Sequence, residues 1–245
     1  MGPSAESSFA AASAERGDKT TRLEAFVDAA FAFAVTLLVI AGDHLPRSVD
    51  DLILALKSVP TFAASFMLIL TFWTAHTQWS RCYGLDDAPT RRLSLLLVFL
   101  VLIFVYPLRM VFGSLFALLS SGWLPANFGL RDWRDIPALF VTYGLAYGAL
   151  CAVVWRLYLH AWRCRDELAL TSQERIATRV SVLRWALLCL VAAVSVAIAW
   201  ALLKFADESW RWQLGLPGYL YFGNLVIAVS LRRYERRLHA SQASA

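Results

Sequence analysis

The chain is 245 residues long, 59% of them hydrophobic and 17% charged, with a mean hydropathy of +0.55. That balance excludes an ordinary soluble domain and leaves a polytopic membrane protein. The net charge of +5 does not imply nucleic acid, because the arginines stand at the ends of apolar runs, where they orient a chain in a bilayer.

Residues 1–20, "MGPSAESSFAAASAERGDKT", are small and polar and lack the apolar core of a signal peptide, so they are expected to form a disordered cytoplasmic tail. Beyond them, runs of about 20 apolar residues predict six spans. These are Leu23–Ala41, Val59–Trp79, Leu93–Phe116, Ile136–Leu159, Val180–Leu203 and Leu214–Leu231.

The first span, within "TRLEAFVDAAFAFAVTLLVI", carries a carboxylate at Asp28. At about 100° per residue, Ala29, Phe33, Thr36, Leu37 and Ile40 share one stripe, while Asp28 lies about 140° from Phe33. Arg22 and Asp28 are about 120° apart, too far round the axis to pair within the helix. An ionisable group inside a span costs a few kcal/mol and normally faces protein or water, so this helix is expected inside a bundle. An apolar stripe at this spacing is ordinarily core packing, and a threonine such as Thr36 commonly bonds back to the preceding turn.

After the first span, Leu52, Ile53, Leu56 and Val59 form a helical stripe, and Pro60 marks either a kink or a restart. In the second span, Trp73 and His76 are three apart, at the depth expected of Asp28. Either ring can donate a hydrogen to that carboxylate, although an interfacial position explains His76 equally well.

The fourth to sixth spans carry few charges. The outer loop "SSGWLPANFGLRDWRD" reads as an interfacial cap anchored by Trp123 and Trp133. The connector "HAWRCRDELALTSQERIATR" reads as a cytoplasmic helix-turn, and Gly215, Gly218, Gly223 and Asn224 of the last span suit close helix contacts or a subunit interface. The inner side collects Arg91 and Arg92, Arg163 and Arg165, Arg232 and Arg233, and Arg236 and Arg237. The outer side keeps isolated residues such as Arg47, Lys57, Arg109 and Lys204. The bias predicts an all-α protein with six transmembrane helices and both termini cytoplasmic, the membrane domain covering 21–233 and a basic tail 234–245.

Cys82, Cys151, Cys164 and Cys189 have no metal or disulfide spacing, and the histidines are dispersed. No nucleophile elbow, HExxH, Walker A or GxGxxG motif is present, so neither an enzyme nor a cofactor is expected. No repeat relates the two halves, which disfavours a secondary transporter.

Arg22, Phe26 and Asp28 fit an RxxxFSD signature, "AAFAFAVTLLVI" is similar to GVFAIAITLLVL, and Ser65, Phe66, Trp73 and His76 match a second-helix SF and WxxH. In these features the chain resembles the lysosomal-type potassium channels of the transmembrane protein 175 family, with their prokaryotic homologues. The resemblance implies a cation channel, potassium favoured, assembled as a homotetramer in the inner membrane of a prokaryotic cell. It implies first helices around a central pore, with constriction rings at Phe33, Leu37 and Ile40. Arg22, Phe26, Asp28, Trp73 and His76 then form a structural polar network, and the partners are a second copy of the chain, lipid and permeant cations. Two positions depart from the family: Val27 replaces the motif serine, and Phe33 a constriction isoleucine. Ser94 stands near where the family often carries an asparagine. A ring of four phenylalanines gates by dewetting or blocks the axis outright, which keeps a transporter or a non-conducting scaffold of the same fold as the alternative.

Overall fold

The computed structural model describes residues 21–40, 47–126, 129, 132–206, 213–224, 227–228, 230–231 and 233. Among these, every regular element is helical: α1 (Arg22–Ile40), α2 (Val49–Lys57), α3 (Val59–Tyr83), α4 (Ala88–Leu119), α5 (Asp135–Arg163), α6 (Ser172–Phe205), the short α7 (Leu216–Tyr219) and a 3-10 turn, Leu220–Phe222. Four described stretches are long and apolar enough to cross a membrane: Val49–Tyr83, Ala88–Leu119, Asp135–Arg163 and Ser172–Phe205. The chain is an all-α membrane protein. Both expected tails, 1–20 and 234–245, lie outside the described residues.

Helix ends are set by local chemistry. Ser48 caps α2 by accepting from the Asp51 amide at 3.1 Å, and Asp50, Asp51 and Lys57 complement the helix dipole at its two ends. Ser58 separates α2 from α3, and Pro60 sits in the first turn of α3, where its missing N–H costs nothing; Pro60 marks a restart. Gly84 ends α3 at a φ of 59°, a left-handed conformation that glycine adopts without strain, and its amide closes on the Ser80 carbonyl at 2.8 Å. Asp87 then caps α4 through the Thr90 amide at 3.0 Å. Thr171 and Glu174 form a reciprocal capping box that opens α6. This is why α6 starts at Ser172, well before the apolar run: the run marks the bilayer, while the cap marks the helix.

Helical periodicity sorts each face. On α4, Leu97, Val101, Phe104 and Leu108 are buried, while Leu95, Phe99, Ile103 and Tyr106 are exposed on the opposite side. The interior is strongly aromatic. Phe72, Phe104, Tyr147 and Trp185 bring α3, α4, α5 and α6 to one point, with the Phe72 ring 5.8 Å from Tyr147, 5.9 Å from Trp185 and 6.3 Å from Phe104. In lipid the hydrophobic drive between helices is absent, so close packing must supply the cohesion. Gly144 and Gly148 allow it between α5 and α6. A Cβ at Gly144 would lie 2.6 Å from Val196 Cγ2, and one at Gly148 would lie 3.2 Å from Ala192 Cβ. Gly218 in α7 is pressed on Phe140 in the same way, whereas nothing lies within 4 Å of a Cβ built at Gly223.

Candidate functional site

α1 packs on α3 and α4 and presents two different apolar faces. One is buried: Val27, Phe31, Ala34 and Leu38 are between 0% and 4% exposed. The other carries Ala29, Phe33 and Thr36, all exposed, with Phe33 at 54%; Leu37 is half-buried at its edge. The Thr36 hydroxyl donates to the Ala32 carbonyl at 3.0 Å. Ile40 closes the helix, and its side chain lies outside the described residues.

The start of α1 is pinned by a cap that the sequence carries outside the apolar stripe. Thr21 and Glu24 form a reciprocal cap, with the Thr21 amide 2.9 Å from Glu24 Oε2 and the Glu24 amide 3.1 Å from Thr21 Oγ1. The signal is Thr-x-x-Glu before an apolar run. Glu24 is therefore occupied by backbone groups at the helix entrance.

Asp28 lies on an exposed flank of α1, and the Trp73 indole Nε1 of α3 donates to its Oδ1 at 2.8 Å. His76, one turn further along α3, is 2% exposed. Its Nε2 pairs with the Ser94 hydroxyl of α4 at 2.9 Å, and no hydrogen bond to Asp28 is found among the described residues. The indole reaches across to α1 while the imidazole turns to α4, so these two side chains stitch α3 to both neighbours. Arg22 and Phe26 are exposed, Phe26 at 52%, and no side-chain hydrogen bond or ion pair of Arg22 is found among the described residues. Ser65 is fully buried and bonds back to the Thr61 carbonyl at 2.8 Å, with Phe66 half-buried beside it.

At the far end of α1 stands Arg109, counted by charge among the outer residues and contained in the predicted span Leu93–Phe116. It lies inside α4, two residues past Pro107, and is 8% exposed. Its Nη1 donates to the Leu38 carbonyl at 3.1 Å. Counting charges at span ends cannot find such a residue, although an arginine inside a long apolar run is itself a signal.

A protein from Marivirga tractuosa named as a potassium channel is 32% identical to this chain over 214 residues, 84% of either length. Residues 22–107, from the start of α1 to Pro107 of α4, match the family described as the endosomal/lysosomal potassium channel TMEM175. The chain belongs to the TMEM175 family. Its fold is similar to that of the potassium channel MtTMEM175, crystallised as a threonine-to-alanine variant with a nanobody fusion protein. The match has a TM-score of 0.76 and 30% identity and covers 91% of this chain and 96% of that one. A lysosomal potassium-selective channel TMEM175 homologue from Chamaesiphon minutus gives 24% identity and a TM-score of 0.44, over 76% of this chain and 94% of that one. As a member of a channel family, this TMEM175 chain is not an enzyme.

Proposed function

We propose that this chain is one subunit of a potassium-favouring monovalent cation channel whose pore runs along a homotetramer axis. In this reading each subunit crosses the membrane six times with both termini cytoplasmic, α1 and the segment from α7 onward adding to the four long spans. The channel lies in the inner membrane of a prokaryotic cell. The observation that carries the reading is the division of α1. Val27, Phe31, Ala34 and Leu38 are used within the subunit, while Ala29, Phe33 and Thr36 remain exposed on a helix that bears the family signature. Relatives named as potassium channels support the permeant ion.

In the proposed pore the permeating cation meets apolar rings of Phe33, Leu37 and Ile40, with Ala29 and Thr36 lining the wall. Apolar constrictions gate by dewetting: water leaves a narrow greasy segment, and an ion cannot cross it without its hydration shell. Phe33 therefore sets the barrier. Asp28, turned away from Phe33 around α1, belongs with Arg22, Phe26, Trp73 and His76 to the polar framework of the inner end and does not coordinate the ion. The Trp73 to Asp28 hydrogen bond supports that division.

The test is cation flux through the purified protein in liposomes, with potassium, sodium and caesium compared for wild type, Phe33→Ile and Phe33→Ala. Flux that rises as the side chain shrinks is the expected result. Absence of flux in all three overturns the channel in favour of a non-conducting scaffold of the same fold.

A further inference from the structure

Among the described residues, Arg109 is a buried cation that the proposed pore does not use. A guanidinium within a span costs a few kcal/mol unless protein groups receive it. Here Nη1 lies 3.1 Å from the Leu38 carbonyl, on a different helix and 71 positions away in sequence. Leu38 is among the last residues of α1, which ends at Ile40. Carbonyls in the last turn of a helix carry the negative end of its dipole. A fixed positive donor is the complementary group, and no basic residue of α1 itself stands in its last turn. Nor is the donor on a floppy support, since Leu108 beside it is fully buried in the core.

Seen along its length, α1 is held by side chains of two different neighbours. Trp73 of α3 holds Asp28 near the inner end, and Arg109 of α4 holds Leu38 near the outer end, about 15 Å further along the axis. Phe33 lies between the two ties. We propose that Arg109 is a positioning residue for conduction: it fixes the outer end of α1 and with it the width of the pore at Leu37 and Ile40. The inference rests on the reading of α1 as the pore helix.

The test compares full-length wild type, Arg109→Met and Arg109→Lys in liposomes by two measurements. The first is amide hydrogen exchange in peptides from the outer half of α1, residues 33–40, and from its inner half, residues 22–30. The second is the ratio of potassium to sodium flux. Arg109→Met is expected to exchange about tenfold faster at the outer half alone, as loss of one charge-assisted bond dictates, and to move the flux ratio several-fold toward one. Arg109→Lys is expected to restore most of both. Should Arg109→Met not assemble, Arg109→Gln replaces it, with the same expectations. Wild-type exchange in either neutral variant overturns the inference, as does faster exchange with an unchanged flux ratio. A wild type that passes no cation overturns the channel reading instead, and exchange alone then decides whether Arg109 holds α1.

Discussion

Asp28 and His76 meet their partners in different surroundings, and the difference sets what each contact is worth. The His76 to Ser94 pair is sealed, at 2% and 0% exposure, so removing the hydroxyl leaves a ring nitrogen with no water to take its place. Stranding one buried polar group costs about 1–3 kcal/mol. The Trp73 to Asp28 bond is shorter, but the carboxylate is exposed in the subunit. Ser94→Ala is therefore expected to lower the thermal unfolding midpoint of the detergent-solubilised protein more than Trp73→Phe does, and equal losses would place both contacts in the same medium. That Asp28 needed a partner from another segment was legible, because helix geometry denies it one within α1. Which donor would reach it was not: a helical wheel gives depth and angle, whereas the choice between indole and imidazole depends on the separation of α1, α3 and α4. The pairing of His76 with Ser94 was out of reach for the same reason.

Caps and close contacts decide where the helices end and how tightly they lie together. Asp87 receives the Thr90 amide at the start of α4 and His160 Nε2, from the end of α5, at 2.6 Å, so one carboxylate ties a helix start to a neighbour's end. Partial desolvation alone would raise this carboxyl, but hydrogen bonding from Thr90 and the pairing with His160 outweigh it and hold the group below its ordinary range. A carboxyl whose folded value is depressed stabilises the fold above the unfolded value, near pH 4, and loses that contribution as pH falls through the folded value. Asp87→Asn, which keeps a good cap but cannot titrate, is expected to flatten the dependence of unfolding on pH below about pH 4. A variant that retains the wild-type slope there would assign the acid sensitivity to another group. Between α5 and α6, Gly144→Ala must push Val196 aside, and overpacking of this kind typically costs about 1–3 kcal/mol. The expected result is a lower unfolding midpoint with assembly retained, measured in the same detergent. The long apolar spans were legible because a bilayer demands them, and the Thr21 and Thr171 boxes were written in the sequence as Thr-x-x-Glu. The four-spaced pair Gly144 and Gly148 was equally visible, but only coordinates tell which helix fills the space beside it.

One subunit exposes large apolar side chains on several helices, from Phe33 on α1 to Phe99 on α4 and Trp200 on α6. In the proposed channel lipid covers some of this surface and a second copy the rest, and periodicity cannot separate the two because both neighbours are apolar. For this reason the all-α membrane class follows from composition, whereas the assignment of the Phe33 face to a shared axis depends on the signature at Arg22, Phe26 and Asp28. The most direct test is cysteine cross-linking of the full-length protein in membranes, after replacement of the native Cys82, Cys151, Cys164 and Cys189. With α1 helices around one axis, Phe33→Cys forms covalent dimers on mild oxidation, while Ala34→Cys, on the buried face, remains monomeric. Monomers only from Phe33→Cys, alongside a correctly folded and assembled protein, would contradict a pore lined by α1.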